Sequence, residues 1–153
     1  MNKIMVIGCP GSGKSTLAMK LGKKLNSPVH NLDDWQDLSL EEFIRVQNEL
    51  MKGDRWILDG NFTKSIDNRA AKADTVIFLD FSRWVVCWRV FKRYLGDFKN
   101  ITNNFSNTWG IFKYVWKFPR MEILSMLEKH KGSRRILILH NQGEVGSLLK
   151  LSS

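Results

Sequence analysis

Cysteine is nearly absent from this chain, proline is scarce, and long hydrophobic runs do not occur. The 153 residues include two cysteines and three prolines. Cys9 and Cys87 form neither a disulfide framework nor a metal-ligand spacing. That excludes a cystine-stapled scaffold and fits a reducing, cytoplasmic setting. No apolar stretch approaches the roughly 18–20 residues of a membrane span, so no membrane partner is expected. The chain opens on an apolar strand pattern followed by a glycine-rich turn, which is not the layout of a cleavable leader. It holds no internal repeat or low-complexity tract, and its length suits a single domain, residues 1–153, with a real core.

Acidic residues are sparse in one region only. From Arg83 to Arg135 there are twelve basic residues against Asp97, Glu122 and Glu128, while the rest of the chain carries twelve of each sign. The whole net charge of +9 therefore sits in the C-terminal part. Such a segment attracts polyanions: nucleotide phosphates, a phosphorylated substrate, or nucleic acid.

What the chain does have is "GCPGSGKS" at Gly8–Ser15, which fits the spacing G-x-x-x-x-G-K-[ST]. It follows an apolar run, Ile4–Ile7, and opens a helical pattern, the strand–loop–helix context that a phosphate-binding loop needs. The glycines let Gly8, Pro10, Gly11, Ser12 and Gly13 turn tightly and aim successive N–H groups at one point. The new helix adds its positive end there. Lys14 supplies a cation for phosphate oxygens, Ser15 a hydroxyl for magnesium, and Thr16 completes the cradle. Cys9, inside the loop, reads as a small space-filler. No Asn-Lys-x-Asp and no Asp-x-x-Gly occurs, which disfavours a GTPase switch.

Apolar strand patterns alternate with helical ones along the rest of the chain. Strands are expected at Lys3–Gly8, in "VHNLD" ending at Asp33 and Asp34, and in "RWILDG", "DTVIFLD" and "RRILILH". Helices are expected at Lys14–Leu25, from a capping box at Ser39 and Glu42 to Gly53, after Ser82, from Pro119 to His130, and over "EVGSLLKL", with a short helix or turn over "TKSIDNRAAKA". This is an α/β pattern: a five-stranded parallel sheet with helices on both faces. Residues 97–118 are a candidate lid. Ligands in such sheets bind beyond the C-terminal strand ends, where the polar residues Asp33, Asp34, Asp59, Asn61, Asp80 and Asn141 fall.

Asp59 and Asp80 each end an apolar strand and each could hold magnesium through its water shell. Asp59 is preferred because Gly60 lets the chain turn across the cleft. Of Asp33 and Asp34, strand alternation turns only one toward the cleft, to take a hydroxyl proton or hold magnesium; a solvated acidic turn is the alternative. Arg89 and Arg93 share a helix face four residues apart and could clamp phosphates, or lie solvated on the surface. Trp84, Trp88 and Phe91 mark a separate face of that helix, expected to be buried. Twelve of the seventeen aromatics lie between Phe81 and Phe118. They read as packing for a lid rather than as a stacking surface for bases.

These pieces together resemble the adenylate-kinase-like P-loop proteins known as DNA topology modulation proteins. The resemblance runs over nearly the whole chain, through "IMVIGCPGSGKSTLAMKLG", Asp33 with Trp35, "DRWILDGNF", "ADTVIFLDFSRWVVCWRVFKR" and the "FPR" ending at Arg120. It implies that Gly13, Lys14, Ser15 and Thr16 hold ATP-Mg. It also implies that Arg89, Arg93 and Arg120 are lid-side arginines and that His140–Gly143, with Asn141, lie near the adenine. Adenylate kinases follow the strand-three Asp-Gly with Phe-Pro-Arg, whereas this chain has Asn61-Phe62-Thr63, and its next arginine is Arg69. Asn61 and Arg69, with Asp33 and Asp34, are therefore placed on the acceptor side. The expected activity is transfer of the γ-phosphoryl of ATP to a small acceptor, possibly a nucleotide. A nucleic-acid-binding P-loop NTPase that uses the basic aromatic part as its reader is the alternative; under the kinase reading, nucleic-acid binding is expected to be weak and non-specific.

Overall fold

The structure, a computed structural model, describes residues 1–35, 37–96, 110 and 112–152, with the side chains of 93–96 outside the description. β1 (Lys3–Gly8) lies at the centre of a parallel sheet in which every neighbour is added by a crossover. The order is β2 (Val29–Asn31), β3 (Trp56–Asp59), β1, β4 (Thr75–Leu79), β5 (Arg135–Leu139). Ile4–Ile7, Ile57, Leu58 and Val76–Phe78 have no water contact, because a central parallel strand is covered on both faces. β5 is an edge strand and exposes part of its apolar run, including Ile138.

α1 (Lys14–Leu25) and α6 (Gln142–Leu151) pack together, as do α3 (Ile66–Lys72) and α5 (Arg120–His130), so the sheet has helices on both faces. α1 stops where expected, at Asn26, whose φ of 47° lies in the left-handed region that asparagine tolerates. α2 (Leu40–Leu50) begins with the full Ser39–Glu42 capping box, but ends at Met51 rather than Gly53. No helix among the described residues is long and apolar enough to cross a membrane.

Two expectations are corrected here. Asp33 and Asp34 do not end a strand: β2 stops at Asn31 and both acids lie in a 3-10 turn, Leu32–Trp35. The Asn31 side chain accepts from the Asp33 N–H at 3.2 Å and so competes with the ladder. On α4 (Arg83–Gly96), Trp84 and Trp88 are 73 % and 63 % exposed, and Phe91 is exposed too. The buried face is aliphatic, formed by Val86 and Val90. It lies against the glycine-rich loop, where a Cβ on Gly11 would come within 2.7 Å of Val90 Cγ2; an indole has no room there. Of the candidate lid, 97–109 fall outside the described residues; 112–117 are helical, with Val115 and Phe118 buried.

The site strand is anchored at its far end by Asp74. One carboxylate oxygen accepts the N–H groups of Asn2 and Lys3 at 2.7 and 3.0 Å. Burial pushes the Asp74 carboxyl up, and these hydrogen bonds outweigh it, leaving a net shift below the usual range. A depressed folded pKa stabilises above the unfolded value and is lost as pH falls through the folded one. Asp74→Asn is therefore expected to cost about 1 kcal/mol near neutral pH. The gap to wild type should close as pH falls below the ordinary aspartate value of about 3.9, as read by urea titration over a descending pH series.

Candidate functional site

The loop between β1 and α1 is built on backbone that only glycine adopts easily. Gly8, Gly11 and Gly13 have φ of 154°, 83° and 97°. At Gly8 an added Cβ would lie 2.8 Å from the Leu79 carbonyl oxygen and 2.9 Å from Ser12 Oγ, so the loop closes against β4 with no space for a side chain. Gly13 is the residue before α1, and no side chain caps that helix end; its free N–H groups and dipole point into the turn. Ser12 is buried, and its hydroxyl has no hydrogen-bond partner among the described residues. Lys14, despite its charge, is buried as well. A concave turn at an uncapped helix N-terminus with a buried lysine beside it has the chemistry that suits phosphate oxygens.

Beside the loop, Asp59 ends β3 opposite Val6 and is 1 % exposed, with Oδ1 unpartnered among the described residues. Burial pushes its carboxyl up; a hydrogen bond from Ser15 and the charge of Lys14 pull it back. A buried, half-satisfied carboxylate next to a hydroxyl and a phosphate cradle suits magnesium, which takes few protein ligands and keeps its water. The donor set fits the metal.

The cleft in front of the loop has a volume of ≈ 610 Å³. Pro10, Gly11, Lys14 and Ser15 form its floor, Leu32 and Asp33 one wall, and Asn61–Lys64 with Tyr114 the other. Asp33 thus faces the cleft, whereas Asp34 lines a separate groove beside α1 and β2, within 3.4 Å of Asn31 Nδ2. Asn61 Oδ1 accepts the Gly8 N–H at 3.1 Å, tying the β3 turn to the loop. Arg69 is 0 % exposed and does not line the cleft; it donates to the Gly60 and Phe62 carbonyls at 2.8 and 3.0 Å. Burial lowers its pKa, and Asp33 and Asp59 oppose that shift.

A second recess of ≈ 270 Å³ opens on the other side of the loop, between Gly13, Lys14, Thr16 and Arg89. Arg89 donates to the Ser12 carbonyl at 3.0 Å and to Gln142 Oε1 at 3.1 Å, and its guanidinium lies 4.7 Å from the Phe81 ring centroid. It is held on three sides over the loop. The Arg93 side chain lies outside the described residues.

Arg120 and Asn141 stand elsewhere. Arg120 makes a bidentate pair with Asp80, 2.6 Å for each bond, and His140 Nδ1 is 3.5 Å from the same carboxylate. Asp80 is thereby engaged at the β4–α5 junction. Asn141 caps α6 by accepting the Glu144 N–H at 3.0 Å. Its neighbour Gln142 is the one that reaches Arg89. Asn-x-x-Glu is a capping signature, and reading it would have moved the assignment one residue on. Thr63, Lys64 and Tyr114 were not singled out as site residues; the first two follow the end of β3, but nothing local places Tyr114 opposite them.

If the Arg120–Asp80 pair is structural, Arg120→Ala should cost about 1–2 kcal/mol, because the nearly buried carboxylate loses a two-bond partner. Asp80→Asn with Arg120→Ala should cost less than the two single losses added together, and chemical denaturation of the three variants measures this.

No protein-family model matches the chain, and no curated protein sequence matches it either. Solved structures do. Shikimate kinase from Acinetobacter baumannii superposes with a TM-score of 0.60 at 16% identity, covering 99% of this chain and 90% of that one. A gluconokinase from Sinorhizobium meliloti 1021 gives 0.58 at 15%, covering 99% and 89%. Shikimate kinase from Bacteroides thetaiotaomicron gives 0.53 at 15%, covering 97% and 94%. At such identities the likeness is one of fold. The narrower resemblance to adenylate-kinase-like proteins rests on the sequence motifs alone, and what the solved structures establish is that this chain has the fold of the small P-loop kinases.

Proposed function

We propose that the protein is a magnesium-dependent phosphotransferase that moves the γ-phosphoryl of ATP to a small acceptor bound in the cleft. The observation that carries this reading is the junction at Lys14 and Ser15. Both residues border the large cleft and the recess behind the loop, so a nucleotide on one side and an acceptor on the other would meet there. The fold shared with small-molecule kinases agrees with it.

In this reading the loop N–H groups of Gly11 and Gly13–Thr16 hold the β- and γ-phosphates, and Lys14 neutralises the oxygens that gain charge as the phosphoryl moves. Magnesium, when bound, would supply charge neutralisation at the phosphates, and Ser15 and Asp59 are the residues that would hold it. Arg89 faces the same phosphates from α4. Gln142, Leu17 and Val145 border a small pocket next to Arg89 that would take the nucleotide's far end. Asp33 accepts the proton of the attacking hydroxyl. The acceptor oxygen bonds to the γ-phosphorus as the bond to the β,γ-bridging oxygen breaks, and ADP leaves. Burial pushes the Cys9 thiol up to about 11, so it stays protonated and fills space rather than attacking. Both cysteines are free, in keeping with a cytoplasmic setting.

The exposed basic aromatic face of α4 keeps the nucleic-acid reading testable. Arg83 lies over Trp116, 5.5 Å from the centroid, with Trp84 edge-on to the same ring. A polyelectrolyte complex loses affinity with a log–log salt slope of roughly −0.9 per duplex phosphate contact, whereas binding in the loop is screened much less. ATP affinity is therefore expected to persist at physiological salt where DNA retention is gone. Sequence-dependent DNA binding at that salt would favour the rival.

Lys14→Ala should abolish tight ATP binding in calorimetry at constant magnesium. Asp59→Asn should lower magnesium-dependent turnover by about 100-fold, or about 2.7 kcal/mol. Unchanged ATP affinity and turnover in Lys14→Ala would sink the nucleotide site.

A further inference from the structure

We infer that the acceptor is an unphosphorylated polyhydroxy compound, carrying at most one negative charge, and not a nucleotide or sugar phosphate; this rests on the phosphotransferase reading above. The cleft that faces the loop offers a hydroxyl-reading set: the Asp33 carboxylate, the hydroxyls of Thr63 and Tyr114, and the Asn61 amide. Phe62 and Leu32 add apolar surface against which the C–H face of a ring or chain can lie. A carboxylate and an amide accept and donate in the pattern that adjacent hydroxyls present.

Charge decides against a phosphate monoester. ATP with one magnesium brings two net negative charges to the loop, and Asp33 adds a third at the cleft. A dianionic acceptor would face three negative charges, with Lys14 and Lys64 the cations lining the cleft among the described residues. Recognition of a phosphate monoester commonly uses a guanidinium fork, but among the described residues no arginine lines this cleft. Arg69, the nearest in sequence, has its guanidinium bonded to two backbone carbonyls and no exposed surface. Arg89 is held on the Ser12 side, and Arg120 is paired with Asp80. Among the described residues, the remaining cation lining the cleft beyond Lys14 is Lys64, which is exposed and enough to meet one carboxylate.

The test measures acceptor-dependent ADP release by the wild-type protein at saturating ATP-Mg. The panel holds neutral polyols and sugars, their monocarboxylates, the matching sugar phosphates, and nucleoside monophosphates. ATP affinity is taken separately by calorimetry. Unphosphorylated hydroxyl compounds should stimulate release at least tenfold over any phosphate ester. Lys64→Gln should raise KM for a monocarboxylate acceptor about tenfold and for the neutral analogue less than twofold. Tyr114→Phe should raise acceptor KM more than it lowers kcat. Tight ATP binding with a phosphate ester as the preferred acceptor overturns the inference and leaves the phosphotransferase reading intact. A panel in which no unphosphorylated compound stimulates release also overturns it. Failure of ATP to bind at all counts against the phosphotransferase reading itself.

Discussion

One buried cation holds the site together. Arg69 comes from α3, on the face of the sheet away from α1, and its guanidinium reaches the turn after β3 with no exposed surface. Taking a guanidinium out of water costs several kcal/mol unless its donors and charge are met. Two carbonyls, Gly60 and Phe62, take two of its donors, and Asp33 and Asp59 offset its charge. The carbonyls it binds bracket Asn61, whose side chain in turn holds the Gly8 N–H. The chain of contacts runs from helix to turn to phosphate loop, so the loop's shape depends on a residue that never faces the ligand.

The same arrangement explains why the acidic and basic groups are sorted as they are. Asp59 is kept in a buried position next to Ser15 and Lys14, whose hydrogen bond and charge oppose the upward push of burial on its carboxyl. Asp33 is left in front, on a 3-10 turn that presents it to the cleft while Asp34 turns to the far side. Gly60 makes this possible: a Cβ there would lie 2.8 Å from Leu32 Cβ, so the turn carrying Asp33 packs directly on the backbone of β3. For the proposed phosphoryl transfer, binding energy would go into positioning two reactants around one lysine.

Beside the smaller recess, Arg89 is fixed by the protein itself. Its two hydrogen bonds and its stacking on Phe81 remove the entropy that a long side chain would otherwise lose on binding. That rigidity comes from the aliphatic stripe of Val86 and Val90, which lets α4 lie close on the glycine loop and pushes its tryptophans to the outside.

The strands, the phosphate loop and most helix ends were legible in the sequence, because they rest on local rules. Apolar runs make buried strands, glycines at fixed spacing make the loop, and Ser39 with Glu42 or Asn26 mark helix ends through their own backbone. Asp59 was legible too, as an acid ending a central strand. What the tertiary structure decided are the partners. Whether an arginine faces a ligand, a carbonyl or a carboxylate depends on residues far along the chain: Arg120 on Asp80, Arg89 on Gln142, Arg69 on the β3 turn. The side of α4 that is buried was likewise decided by the glycine loop it meets. Periodicity gives the faces of a helix, but only packing chooses which face meets the core.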